Sequence, residues 1–198
     1  MTDIAVTLYN GRAVDHQDEG DIAASLAGDE EAFARLVRRH TPAVTSLLWR
    51  FTRDRGRCEE LVQETFVEAF FSLRRYRGRA PLESWLRRIA TRVGYRYWRN
   101  RDRAGSSVPL AELEVAAPEA EADPALAAQI VHALLARLPA AERLVLTLLY
   151  FDNCDTREIA ARMGWTRAMV KVRAYRARRR LRAIARREHL LEKFGWTS

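Results

Sequence analysis

Residues 59–103 read EELVQETFVEAFFSLRRYRGRAPLESWLRRIATRVGYRYWRNRDR, and their patterning decides the fold class. Val62, Phe66, Ala69, Phe70 and Leu73 recur at helical spacing, which predicts an amphipathic helix with that stripe in the core. The opposite face carries Glu60, Gln63, Glu64, Val67, Glu68 and Phe71. Carboxylates mixed with exposed apolar groups suit the docking of a basic, partly apolar partner. The turn YRGRAP follows, with Gly78 for an unusual backbone angle and Pro81 at the start of a second helix. That helix is expected to bury Leu82, Trp85, Leu86, Ile89 and Val93. Its other face and C-terminal end carry Arg88, Arg92, Tyr95, Arg96, Tyr97, Trp98, Arg99 and Arg101.

Charge separates the two helices. Residues 59–70 hold four Glu and no base, whereas residues 71–105 hold eleven Arg and two acids, a local net of +9. Arginines interleaved with aromatic rings suit single-stranded nucleic acid, because guanidinium groups follow phosphates and rings stack on bases. A solvated Arg-rich helix with its Trp and Tyr in the core would give the same composition.

The whole chain bears the same sign. Its 198 residues carry a formal charge of +8, and 48% are apolar, enough for one domain or two small ones. Such a balance favours a polyanionic partner. Membrane insertion is not expected, since no apolar run approaches a bilayer span. The start, MTDIAVTLYN, lacks the basic and apolar parts of a secretory signal. Cys58 and Cys154 are far apart and have no His neighbours, which fits two small buried hydrophobes in a reducing cytosol.

Residues 1–31 hold eight acids and one Arg. Residues 1–20 lack apolar periodicity and are expected to form an acidic mobile arm. Asp21 is placed to cap a short helix ending at Gly28, and Asp29 to cap a longer one. Phe33, Leu36, Val37, His40, Val44, Leu47, Leu48 and Phe51 form the buried face of that longer segment. Pro42 is expected to kink it or to restart it with Thr41 as cap, and His40 reads as a packed histidine.

Residues 104–124 have three Pro, five acids and no Lys or Arg, the composition of a flexible acidic linker. It is either an inert spacer or an acidic strand for a basic channel. Beyond it, Leu126, Ile130, Leu134 and Leu138 mark a helix that stops at Pro139, and AAERLVLTLLYF marks one apolar nearly all round. Asp155 or Thr156 caps a third, with Asp155 and Glu158 in capping-box spacing and Ile159, Ala160 and Met163 facing in. Gly164 makes a turn, Thr166 caps the last helix, and Val170, Ala174, Ala177, Leu181 and Ile184 form its inner stripe.

Residues 166–187 hold nine Arg, one Lys and no acid. A short helix, a Gly turn and a capped basic helix form a helix-turn-helix. Arg167, Lys171, Val172, Tyr175 and Arg178 are placed to enter a major groove. Arg173, Arg176, Arg179, Arg180 and Arg182 suit phosphates. A basic coiled-coil-like helix or an RNA contact would share the charge but not the cap, turn and stripe together.

The expected architecture is therefore all-α. Two small helical domains, residues 21–103 and 125–187, are joined by the 104–124 linker and followed by a tail, 188–198. ELVQETF with SLRRYRGRAPLESWLRRIA, and LPAAERLVLTLLYFDNCDTREIAARMGWTRAMVKVRAYRARRRLR after it, resemble the second and fourth regions of a bacterial extracytoplasmic-function (ECF) sigma factor. The resemblance spans roughly residues 20–187. It implies a cytoplasmic transcription initiation factor with no catalytic residues, cofactor, metal or small-molecule substrate. The implied partners are core RNA polymerase, through its β′ clamp helices and β flap, promoter DNA and an anti-sigma factor.

By the same resemblance, Glu60, Gln63 and Glu64, with Val67 and Glu68 on the same face, would grip the β′ clamp helices. Tyr76, Arg77, Gly78, Arg79 and Ala80 would form the loop that captures a flipped base of the −10 element, with Arg92 lining the pocket and Arg88, Arg96 and Trp98 beside it. Lys171, Val172, Tyr175 and Arg176 would read the −35 element, together with Arg167, Arg178 and Arg179. Arg92 stands where Asn is frequent in the family, and Lys171 and Val172 where Arg and Ser are frequent. These departures bear on promoter sequence. A plain two-module DNA-binding regulator would not need the Gln63/Glu64 face, and a sigma mimic that only sequesters an anti-sigma factor would not need the basic last helix.

Overall fold

A computed structural model of the chain describes residues 16–105 and 124–187, with side chains from residue 128 onward in the second segment. All of its elements are helical: α1 (His16–Leu26), α2 (Glu30–Leu48), α3 (Arg55–Ser72), a 3-10 turn (Leu73–Arg75), α4 (Leu82–Arg103), α5 (Pro124–Ala136), α6 (Ala140–Tyr150), α7 (Thr156–Met163) and α8 (Arg167–Arg187). Two compact units result, and the division falls inside α4, between Arg96 and Tyr97. The boundaries at 103 and 125, read from the composition of the linker, remain a sequence expectation. The remainder of the expected arm, the linker interior and the tail lie outside the described residues.

In the first unit, Asp29 caps α2 by accepting from the Ala32 amide at 3.1 Å. The helix then buries Ala32, Leu36, His40, Val44, Leu47 and Leu48, close to the expected face. Pro42 does not divide it. The helix runs through, and Thr41, rather than capping a restart, donates its hydroxyl to the Val37 carbonyl at 2.7 Å.

The N-terminal expectation needs two corrections. α1 starts at His16, so residues 16–20 belong to a packed helix and not to an arm. Asp21 is not a cap. It lies inside α1 and accepts from Arg35 and Arg39, each at 2.7 Å. Those two guanidinium groups, Arg39 first, hold its carboxyl below the usual carboxylate range. Asp18, one turn earlier, is buried and accepts from Arg39 at 2.5 Å and faces His40 Nε2 at 3.0 Å. His40 is thus a packed histidine whose partner is 22 residues back in another helix. The acidic composition that suggested a solvated arm instead serves an ion-paired face between α1 and α2.

The stripe of α3 is also shifted. Cys58, Leu61, Thr65, Phe66, Ala69 and Leu73 are buried, whereas Val62 is half-buried and Phe70 is 49% exposed. Thr65 is tolerated inside because its hydroxyl donates to the Leu61 carbonyl at 2.8 Å. With Thr65 admitted, the run Cys58, Leu61, Thr65 and Ala69 outcompetes the one through Val62 and Phe70.

α4 buries Leu82, Leu86, Ile89, Ala90 and Val93, while Trp85 is half-buried. Gly94 is there for space: a Cβ at this position would meet ring carbons of the fully buried Phe51 at 2.5 Å. Gly94→Ala gains helix propensity but overpacks this contact, and overpacking costs about 1–3 kcal/mol. A lower urea midpoint with an unchanged m-value is the expected result, and an unchanged or raised midpoint would contradict the close packing.

The second unit is built around α6, where Leu144, Val145 and Leu148 are fully buried. Leu135, Leu138, Leu146 and Ala177 cluster, and Leu181 and Ile184 of α8 cover both that cluster and Ile130 with Leu134. The α7 capping box forms as expected. Asp155 accepts from the amides of Arg157 and Glu158 at 2.6 and 2.8 Å, and Glu158 accepts from the Asp155 amide at 2.8 Å. Gly164 turns the chain at φ +68, and Thr166 accepts from the Met169 amide at 3.2 Å at the start of α8. Ile159, Ala160, Val170, Ala174 and Ala177 are buried, so the helix-turn-helix packs on the stripe read from sequence.

Candidate docking and nucleic-acid surfaces

The outer face of α3 presents Glu60, Gln63, Glu64, Val67 and Phe71 to solvent, with Glu68 half-buried beside them. Val67 is 53% and Phe71 79% exposed. Phe70, assigned to the core by periodicity, joins this surface instead: its ring meets Phe33 edge-on at 5.0 Å and Phe71 at 5.8 Å. The patch is therefore larger and more aromatic than the sequence suggested. Its carboxylates are organised. Arg57 pairs with Glu60, and Arg96 Nη2 donates to Glu64 at 2.6 Å and Glu68 at 2.5 Å. Arg96 was expected among the nucleic-acid contacts, and here it is held by α3.

The loop after the 3-10 turn is closed by Tyr76, whose hydroxyl donates to the Ala80 carbonyl at 2.6 Å. Its ring lies 5.4 Å from Trp85 at a 56° tilt. Burial, reinforced by the negative charges of Asp18 and Glu19, pushes this hydroxyl up from its ordinary pKa, so it remains a donor. Gly78 sits at φ +65, in the left-handed region that the turn required. Arg77, Gly78 and Arg79 are exposed, whereas Tyr76 and Ala80 are half-buried. Tyr76 thus shapes the loop from within, and the basic groups project around it. Arg88 and Arg92 are exposed on α4.

Trp98 does not join them. Only 3% of it is exposed, and the Arg143 guanidinium lies 4.8 Å above its ring. The last turns of α4 belong to the second unit. There Asp102 accepts from the Ala140 amide at 2.8 Å, the first residue of α6, where Pro139 offers no side-chain cap. Arg143 Nη2 donates to the carbonyls of Ala136 and Leu138 at 2.6 and 3.1 Å and lies 3.4 Å from Asp102. Burial pulls the Arg143 guanidinium below its ordinary pKa. The partners are 41 residues apart, so no local pattern announced them.

On α8, Arg167, Lys171, Val172, Tyr175, Arg176, Arg178 and Arg179 are all exposed on the helix surface. Val172 is 47% and Tyr175 63% exposed, and Met169, which sequence reading passed over, adds 41%. Farther along, Tyr175, Arg178, Arg179, Arg182 and Arg186 line a shallow basic groove. Two arginines expected at phosphates are engaged elsewhere. The Arg173 guanidinium stacks 3.8 Å from the centre of the Trp165 ring, and Arg180 pairs with Glu142 at 3.3 Å.

An acidic helix face, a basic loop and helix, and a separate basic helix-turn-helix can now be set against known proteins. The sigma-70 region 2 family matches residues 36–104, and the sigma-70 region 4 family matches residues 128–181. The ECF RNA polymerase sigma-E factor of Escherichia coli (strain K12) is 32% identical over 163 residues, covering 76% of this chain and 85% of the relative. The chain belongs to the ECF sigma factors. It is a promoter-directing subunit for RNA polymerase, a class of transcription initiation factor that is not enzymatic.

The RNA polymerase sigma-H factor of Pseudomonas aeruginosa is 28% identical to this sigma factor over 174 residues, 82% of the chain and 90% of the relative. Among solved structures, CnrH in complex with the cytosolic domain of CnrY matches with a TM-score of 0.55 and 28% identity, covering 85% of this chain and 96% of that one. The sigma factor RpoE bound to the anti-sigma factor NepR from Bartonella quintana matches in fold, with a TM-score of 0.54 at 22% identity over 78% and 96%. Among the described residues, no helix of the sigma factor is long and apolar enough to cross a membrane.

Proposed function

We propose that this sigma factor docks on the β′ clamp helices of core polymerase through α3, opens and holds the −10 element with the Tyr76–Ala80 loop and α4, and reads the −35 element with α8. The observation that carries this division is charge segregation on exposed helix faces. Glu60, Gln63, Glu64, Val67 and Phe71 are exposed on α3, and seven groove-facing or phosphate-facing side chains are exposed on α8. Acid repels DNA and base attracts it, so the faces cannot exchange roles. The loop and α4 take the melted strand because Arg77 and Arg79 are exposed in a ring-bearing turn and Arg88 and Arg92 on the helix that follows it.

The exposed α3 aromatics also suit an anti-sigma factor competing with polymerase; the similar structure of CnrH is of a complex with the cytosolic domain of CnrY. The β flap is the expected second contact on polymerase, and the cytoplasm the expected site of action.

The α8 reading is tested by salt titration of the full chain on promoter and random duplexes. If α8 neutralises about five phosphates, log K should fall against log salt with a slope near −4 to −5. Arg179→Ala is expected to weaken both duplexes alike. Lys171→Ala should instead narrow the gap between them, by about 1–3 kcal/mol if it reads a base edge. Affinity that is flat in salt, or a Lys171→Ala variant with undiminished preference, contradicts the assignment.

A further inference from the structure

We propose that Arg96 couples the two surfaces of the first unit: it is held on the α3 carboxylates in the free sigma factor and is released to nucleic acid when a basic partner takes those carboxylates. The inference rests on the docking and strand-binding readings above. It adds a positioning residue that neither surface discloses alone.

The geometry places one nitrogen between two jobs. Arg96 Nη2 donates to Glu64 at 2.6 Å and to Glu68 at 2.5 Å, so a single cation bridges both i, i+4 carboxylates on the docking face. Along α4, Arg88, Arg92 and Arg96 follow one another at steps of four, and all three are exposed. Such steps keep side chains on one helical face, which makes a track for successive phosphates. Arg96 ends that track, yet its charge is directed to α3.

The bond is suited to exchange. The side chains of Arg96, Glu64 and Glu68 are 44%, 45% and 40% exposed, and pairs this open to water are weak. A basic clamp surface seated on Glu64 and Glu68 supplies replacement cations and repels Arg96. The guanidinium can then return to the row at little cost, where phosphates bind it. Docking thereby adds one phosphate ligand to this row on α4, and free protein is kept a weaker strand binder.

The test is a mutant cycle on the full chain without polymerase, reading fluorescence anisotropy of a short labelled single-stranded oligonucleotide across salt. Glu64→Gln with Glu68→Gln removes the hold, and the Arg96→Gln background controls for the two-unit rise in net charge that it brings. This double variant should bind the strand roughly three- to tenfold more tightly. Its log K against log salt should steepen by about 0.7, the value for one added phosphate contact on a single strand. In an Arg96→Gln background the gain should fall below about twofold and the slope should not change. Arg96→Lys should recover part of both.

An equal gain with and without Arg96 overturns the proposal, because the carboxylates then act only through net charge. No gain in either background overturns it too. If no variant binds the strand, the strand-binding reading falls together with this inference. The docking reading is tested separately, by reversing Glu64 and measuring polymerase.

Discussion

Glu64→Arg is expected to abolish most binding to core polymerase while leaving helical content intact. Glu64 is exposed on α3, off the buried run of Cys58, Leu61, Thr65 and Ala69, so no core contact is lost. Against a basic clamp helix, reversal replaces attraction by repulsion, and like charges set together at an interface cost several kcal/mol. A loss of 3 kcal/mol would be about a 150-fold weaker complex. The reversed side chain also faces Arg96, whose partner it was, so Glu68 alone keeps that contact. Glu64→Gln should fall between the two. Phe71→Ala should weaken the complex as well, since Phe71 is 79% exposed and gains burial only on docking. Far-ultraviolet circular dichroism checks the fold, and co-purification with core enzyme reads the binding. Normal co-purification of Glu64→Arg would show that the docking face lies elsewhere.

The loop variants should fail later in the pathway. Tyr76→Ala and Arg92→Ala are expected to keep core binding and closed-complex formation but to lose open complex, by tenfold or more. A captured base needs a π surface and donors to its edge, and losing one stack costs roughly 1–3 kcal/mol. Tyr76 has a second role: its hydroxyl ties the loop through Ala80, and its half-buried ring leans on Trp85. Tyr76→Phe separates the two contributions. It keeps the ring and loses the tie, so it should retain more opening than Tyr76→Ala. Permanganate reactivity of unpaired thymines at a cognate promoter measures all three. A premelted −10 bubble should restore Arg92→Ala more than Tyr76→Ala, because unpairing has been supplied but the shaped loop has not. Wild-type opening by both alanine variants would place base capture outside this loop.

Local chemistry explains which parts of this molecule could be read from sequence. The Asp155 box, the Gly164 turn, the Thr166 cap and the Val170, Ala174, Ala177 stripe all depend on residues within a few positions, and all stand as read. Long-range pairing was not legible. Asp18 read as part of a mobile acidic arm and Asp21 as a helix cap, because the guanidinium groups that hold them lie up to 21 residues away. Trp98 looked like a stacking surface among arginines. Its cover, Arg143, comes from α6, and Asp102 caps that helix across 38 residues. Phe70 was misassigned for another reason. Hydrophobicity alone placed it inside, but Thr65, satisfied by the Leu61 carbonyl, took the buried side and turned Phe70 outward. At the functional surfaces, residue type and exposure were readable for α8. On α3 and α4 the sequence supplied the charges but not Arg96, which joins the two.

The central claim is that one chain carries both the polymerase grip and the promoter reading. Its most direct measurement adds the purified protein to sigma-free core RNA polymerase on a pool of promoter fragments and follows run-off transcripts. The account predicts transcripts that start at defined positions, depend on the added protein and disappear with Glu64→Arg. Transcription that is unchanged by the protein, or that begins at the same positions with the Glu64→Arg variant, would contradict it.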